Sequence, residues 1–204
     1  IPDGVTSIGN SAFSFCDSLK SITIPKSVKY IERGAFEGCD SLSVIKVDVG
    51  NTTFDSRDNC NAVIDTYKNT LVLGCANTTI PNSVTTIGEG AFYYCSSLKS
   101  IAIPSSINRI CKEAFSFCYN LTSITIPNSV KWIEEKAFSD CDAVTSITIG
   151  SGVISIGWWA FCTYNDNVKI TYKGTMQQWR NVEKNSPVCN NILKLHCVDG
   201  DVYL

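Results

Sequence analysis

Apolar and polar positions along the chain follow one pattern, Ile-Pro-x-x-Val-x-x-Ile-x-x-x-Ala-Phe-x-x-Cys-x-x-Leu-x-x-Ile-x, which restarts at Ile1, Ile24, Ile80, Ile103, Ile126 and Ile149. The starts lie 23 residues apart except between Ile24 and Ile80, where the interval is 56, or 23 plus 33. A fixed period of roughly 20–30 residues marks a solenoid, whose units bury their apolar side only by stacking on neighbouring copies. Each unit ends in alternating outward polar and inward aliphatic residues, as in Ser21-Ile22-Thr23-Ile24 and Ser43-Val44-Ile45-Lys46-Val47, which is the period of a strand. Stacked in register, these segments predict a parallel sheet. Pro25, Pro81, Pro104 and Pro127 end each strand, because proline cannot donate to the ladder. A second short β-prone run follows, such as Val28 to Ile31. Ala35 to Cys39 is too short and too glycine-punctuated for more than a helical turn.

Residues at one phase of the repeat should stack into columns about 4.8 Å apart, the spacing of neighbouring strands. Phe13, Phe36, Phe92, Phe115, Phe138 and Phe161 form one such column, read here as a structural spine. Five of the eleven cysteines, Cys16, Cys39, Cys95, Cys118 and Cys141, form another. Parallel side chains about 4.8 Å apart exceed the Cβ separation a disulfide needs, so buried thiols acting as small hydrophobes are expected. A column also diverges from the tetrahedral geometry of zinc. In the sixth copy Cys162 falls two residues early and Tyr164 takes the rung. Outside the column lie Cys60, Cys75, Cys111, Cys189 and Cys197.

The long interval contains residues 48–79, read as one aberrant turn carrying a hairpin. Its strands run from Asn61 to Asp65 and from Thr70 to Gly74, and Ala76 to Ile80 resembles a normal closing strand. If Asp65 faces Thr70, then Cys60 faces Cys75, and either a cross-strand disulfide or two free thiols fits. After Ile170 the period disappears. Gly174, Thr175 and Trp179, then a Leu193 to Leu204 segment turning at Asp199-Gly200, read as a C-terminal cap over 171–204, leaving 1–170 as the repeat domain. Trp158 and Trp159 sit where other copies carry Arg33, Lys112, Glu113 and Lys136, and are read as covered by the cap rather than as an exposed patch.

The outward positions of the main sheet are small and weakly polar: Ser21/Thr23, Val44/Lys46, Ser100/Ala102, Ser123/Thr125 and Ser146/Thr148. Binding hot spots favour Trp, Tyr and Arg. Such side chains recur instead in the second run, where Tyr30, Arg109 and Trp132 share one phase and are the candidate contact residues. Seventeen basic residues against nineteen acidic ones give no basic stripe for nucleic acid, and no run of 18 apolar residues suggests insertion in a membrane. The one histidine, His196, has no nucleophile motif or glycine-rich loop around it, and Asp55, Asp58, Asp199 and Asp201 lack the spacing of a calcium loop. Neither catalysis nor a cofactor or metal is expected. Asn51, Asn77 and Asn120 match the glycosylation sequon, which matters only in a eukaryotic secretory host. The chain opens inside the repeat, without an initiator Met, and is expected to be a piece of a longer array.

The six recurrences of Ile-Pro-x-x-Val-x-x-Ile-x-x-x-Ala-Phe-x-x-Cys-x-x-Leu resemble the BspA-type leucine-rich repeat family over residues 1–170 apart from the insert. Gly50 to Cys60 and the Gly174, Thr175 and Trp179 positions resemble segments of such proteins as well. The resemblance implies a β-rich leucine-rich repeat solenoid of the α/β horseshoe class, with a parallel sheet, one hairpin insert and a C-terminal cap. It also implies an extracellular or cell-surface protein, some relatives of which bind host proteins and promote adhesion. We therefore expect a monomeric, non-enzymatic protein-interaction module with a host matrix or bacterial surface protein as partner. A structural spacer is one alternative, and carbohydrate binding by Tyr30, Trp132 or the Trp158/Trp159 pair is another.

Overall fold

The strand-period alternation that closes each repeat buries its aliphatic residues in the structure, a computed structural model that describes residues 1–185 and 194–203. Ile24, Ile45, Ile124, Ile126, Ile147, Ile149 and Ile170 point inward, while Ser21, Thr23, Val44, Lys46, Ser123, Thr125 and Ser146 are exposed. The chain winds into about eight stacked turns. Strands Ser21–Ile24 and Val44–Val47 pair in parallel, Ser21 opposite Val44. Further along, Ser123–Ile126, Ser146–Ile149, Lys169–Tyr172 and Lys194–Cys197 form a parallel ladder that Gly200–Tyr203 closes antiparallel.

The predicted main sheet is thus two sheets, of two and five strands. Between them neither 76–80 nor 100–103 forms a strand. Thr78, expected in a closing strand, sits in a turn instead. Its amide donates to the Cys75 carbonyl at 3.0 Å, and its hydroxyl accepts from the Cys75 amide at 2.8 Å and donates to the Asn61 carbonyl at 2.7 Å.

The second short run builds the longer sheet. Its eight strands are, in order, Glu183–Lys184, Ser155–Ile156, Trp132–Ile133, Arg109–Ile110, Thr86–Ile87, Thr70–Leu73, Val63–Asp65 and Phe54–Asp55. Ser7–Ile8 and Tyr30–Ile31 form a separate pair. Segment 48–79 therefore ends this sheet as three antiparallel strands rather than hanging from it. Asp65 does face Thr70, but a register shift makes Val63 oppose Leu73 rather than Val72. That bulge takes Cys60 and Cys75 out of opposition. Both are buried free thiols, near the Ala62 and Asn61 carbonyls respectively.

Ring stacking fills the coil as the repeat predicts: Phe13 on Phe36 at 4.8 Å, then Phe92, Phe115, Phe138 and Phe161 at 4.8, 4.9 and 5.5 Å. Gly74 takes the phenylalanine position of the aberrant turn, its amide donating to the Ala91 carbonyl as Phe92 donates to Ala114. A Cβ there would lie 2.1 Å from the Phe92 ring, so the spine is interrupted. The thiol column is more than apolar filling. Cys39, Cys118 and Cys141 each donate to the phenylalanine carbonyl of the preceding coil, at 3.0, 3.3 and 3.2 Å. In the sixth copy the inward rung is Thr163, 5% exposed, and Tyr164 is 82% exposed, correcting the expectation for that position.

The segment after Tyr172 adds a further coil in which the helix Met176–Asn181 stands where a turn would be. Its Thr175/Gln178 capping box satisfies the first-turn amides, and buried Trp179 packs on Tyr172 at 5.2 Å. His196 pairs with Asp201 across the closing hairpin at 2.6 Å. Cys189 and 186–193 lie outside the described residues. Trp158 and Trp159 are 48% and 38% exposed, so the expected cover over them is not seen. Among the described residues the Glu183–Lys184 strand reaches Ser155–Ile156, and both rings stay partly exposed, with Lys136 over Trp159 at 5.4 Å. Among the described residues no helix is long and apolar enough to cross a membrane.

Candidate interaction surfaces

Arg109 and Trp132 come together because parallel pairing puts residues of one repeat phase side by side. Trp132 stands between Arg109 and Ser155 on the outer face of the eight-stranded sheet. The Arg109 guanidinium lies 4.6 Å from the Trp132 ring centroid and donates to Glu134 at 2.7 Å. The other oxygen of Glu134 accepts from the Lys112 amide at 3.0 Å, which fixes the carboxylate. Arg109 is therefore held between a ring and an anchored acid, with little rotamer freedom left to lose on binding. Trp132, Arg109, Glu134, Ser155 and Trp158 surround a shallow hollow of about 220 Å³. Trp132 is 38% exposed.

Tyr30 does not join them. It belongs to the separate two-stranded sheet and is 70% exposed. It lines a cleft of about 670 Å³ with Lys29, Ile31, Phe54, Asp65, Lys68 and Val72, at the break between that pair and the eight-stranded sheet.

A third surface escaped the sequence reading. Phe15, Tyr94 and Phe117 occupy the phase just before the column cysteine, which Gly38 and Asp140 hold in other copies. All five have φ between 52° and 66°, the left-handed region. The aromatic side chains of Phe15, Tyr94 and Phe117 consequently leave the coil and meet outside it. Tyr94 stacks on Phe117 at 4.3 Å, Phe15 meets Tyr94 edge-on at 6.0 Å, and Tyr93 and Tyr119 complete the cluster. The Arg33 guanidinium sits 4.5 Å from the Tyr93 ring. The signal was the 23-residue period itself, applied to a position that the consensus leaves open.

A family profile described as "BspA type Leucine rich repeat region (6 copies)" matches residues 1–66 and 63–182. Several solved bacterial structures resemble the chain. A leucine-rich repeat protein from Eubacterium ventriosum is 27% identical, with a TM-score of 0.70 over 85% of this chain and 46% of that one. A leucine rich cell surface protein from Faecalibacterium prausnitzii is 25% identical, with a TM-score of 0.58 over 92% of this chain and 62% of that one. The pneumococcal vaccine antigen PcpA, 19% identical with a TM-score of 0.54 over 99% of this chain and 67% of its own, shares the fold. The chain spans about half the length of the first of these and less than two thirds of the second. Nothing among the curated proteins matches it.

Proposed function

The chain belongs to the BspA-type leucine-rich repeat family, and we propose that it is a non-enzymatic protein-interaction module of a secreted or surface-displayed protein, contributing to adhesion to host or bacterial surface proteins. The observation that carries this reading is the Arg109–Trp132–Glu134 arrangement on the eight-stranded sheet. Trp and Arg are the side chains that dominate protein interfaces, and these two are prearranged on a rigid element beside a hollow. The small Ser and Thr residues facing out from the other sheets offer no such anchor. The resemblance to a leucine rich cell surface protein supports the location. In this reading the partner is a protein and the chain acts as a monomer. Tyr30 serves as a separate contact.

The test is binding of the chain to immobilised host matrix proteins and to intact neighbouring bacteria. Trp132→Ala and Arg109→Ala should each weaken binding at least about ten-fold, as hot-spot truncations do, while Thr125→Ala on the other sheet changes it little. Failure to bind any such surface at micromolar concentration would overturn the reading. A spacer role has one observation in its favour, the uninterrupted Phe92 to Phe161 stack that stiffens the long axis. In that case deleting one 23-residue coil shortens reach without changing affinity.

A further inference from the structure

In this solenoid each coil hands two backbone carbonyls to the next. The pairs Thr6/Ile8, Asn69/Leu71, Thr85/Ile87, Asn108/Ile110, Lys131/Ile133 and Ile154/Ile156 all accept amides from the following strand of the second run. Lys29 and Ile31 hold the same phase, and no amide among the described residues reaches their carbonyls. The alternation of a parallel ladder also turns the Ile31 N–H to this side, since Tyr30 and Glu32 are the residues that bond the Ser7–Ile8 strand.

Asn51 is the cause of the gap. The following coil arrives in phase, with Thr53 opposite Tyr30 and Phe54 opposite Ile31 in the repeat. The Asn51 Oδ1 captures the amides of Thr53 and Phe54 at 2.8 and 2.9 Å, the region from which donors to the Lys29 carbonyl would come. Its Nδ2 pins the chain to the Pro25 and Val28 carbonyls at 2.8 and 2.9 Å. Beyond that point Phe54–Asp55 pairs antiparallel with Val63–Asp65, and the cleft of about 670 Å³ opens between the two strand systems.

We infer that this cleft binds an extended peptide segment of a partner protein, which adds as a strand to the free edge of Tyr30–Ile31. The edge offers two acceptors and one donor at strand spacing, the main-chain recognition used in β-strand addition. Ile31, Phe54 and Val72 give an apolar wall for one side chain of the guest. Lys29, Glu32, Asp65 and Lys68 line the rim with both charges, Lys29 donating to the Thr52 hydroxyl at 2.9 Å and Lys68 lying 3.8 Å from Asp65. Exposed edges are ordinarily blunted in native proteins, and this one is flanked by exposed Tyr30 rather than covered. The site is distinct from the Arg109–Trp132 surface and stands or falls separately.

The probe is a phage-displayed library of random octapeptides selected on the whole chain, with recovered peptides synthesised and measured by fluorescence anisotropy. Binding should slow hydrogen exchange of the Ile31 amide at least ten-fold in the wild-type protein. Ile31→Pro removes the donor without touching a bond the fold uses, and should weaken the peptides roughly three- to ten-fold or more. Thr125→Ala, on the other sheet, should leave their affinity unchanged. Selection that yields no peptide tighter than about 100 µM, or peptides that bind without protecting the Ile31 amide, overturns the inference. The exchange measurement on wild-type protein decides the matter even if Ile31→Pro does not fold.

Discussion

At the scale of single residues, the structure depends on backbone conformations that side chains dislike. Each regular coil makes two left-handed bends, at Ser11 and Phe15, Gly34 and Gly38, Gly90 and Tyr94, Glu113 and Phe117, and Lys136 and Asp140. A side chain in that region costs about 1–2 kcal/mol, and only some of these positions are glycine. At Gly38 two constraints coincide, because φ is +66° and an added Cβ would lie 2.4 Å from the Phe15 ring. Gly38→Ala should therefore lose about 2 kcal/mol in urea unfolding, the backbone part plus displacement of the ring. In a Phe15→Ala background the loss should fall to the backbone part, so a double-mutant cycle separates the two. The thiol column gives a second residue-scale expectation. Burial drives the Cys118 thiol well above its ordinary range, and donation to the Phe92 carbonyl also requires the proton. Burial, reinforced by Glu134, pushes Cys111 up to about 11, and burial pushes Cys95 up to about 12. A folded value above the unfolded one, about 8.5, favours folding while the thiol is protonated. That contribution is complete below about pH 8.5 and disappears as pH rises towards 11 and 12. The urea midpoint should fall from pH 8.5 to 11, and Cys111→Ala should fall less steeply over the same window.

At the scale of elements, segment 48–79 decides the architecture, and one buried side chain organises it. Asn51 is 9% exposed and makes four hydrogen bonds to main-chain groups. Asn51→Ala leaves those groups to compete for water in a packed place and should cost about 3 kcal/mol, read as a lowered urea midpoint. The same burial leaves no room for a glycan on that sequon. Asn51 also shows where sequence reading stopped. The Phe and Cys columns, the inward Ile ladders and the paired strands were legible because each depends only on phase, which holds from Ile80 to Ile170 except at the thiol rung of the sixth copy, where Thr163 turns inward, and at 100–103, which forms no strand. The broken sheets were not, because the features at the break are the Asn51 capture of two amides, the Thr78 turn and a one-residue bulge between Val63 and Ile64, none of which leaves a periodic trace. The hairpin was legible from Asp65 and Thr70, but not the burial of its strand on both faces. Val63 packs with the N-terminal core while neighbouring Ile64 packs with the other. Of the three candidate contacts, phase correctly joined Arg109 to Trp132 across adjacent coils. It placed Tyr30 in the same series only because the break between them carries no mark at that phase.

At the scale of the molecule, the insert divides the apolar interior into two clusters. One holds Ile8, Ile24, Val28, Phe36, Leu42, Ile45, Phe54, Val63 and Cys75, and the other runs from Cys60 and Ile64 through Phe92 and Phe161 to Leu195. Regular coils share a sheet ladder on two sides and a stacked phenylalanine. Across the division no phenylalanine stacks on the next and no parallel ladder continues; the antiparallel hairpin joins the two clusters, with Val63 in one and Ile64 in the other, alongside the Arg33–Glu113 ion pair, the Ser96–Asp40 hydrogen bond and the edge-on Phe15–Tyr94 contact. Exposed pairs such as Ser96–Asp40 contribute roughly 0–1 kcal/mol each, so apart from the hairpin the junction gains little, and we expect it to be the weakest in the stack. Solenoid stability is close to a sum of unit and nearest-neighbour terms, and such an array separates first at its weakest junction. The smaller N-terminal cluster should therefore unfold before the rest. All four tryptophans, Trp132, Trp158, Trp159 and Trp179, lie on the far side of the division. Tryptophan fluorescence then reports only the larger unit, while far-ultraviolet circular dichroism reports both, and the two urea transitions should not coincide. The dichroism change should begin at lower urea. Ile45→Ala, a truncation costing roughly 3 kcal/mol in the N-terminal cluster, should move that early phase and leave the fluorescence midpoint in place, and Ile133→Ala should lower the fluorescence midpoint. Superimposable transitions shifted together by either substitution would mean that the junction transmits packing as well as any regular one.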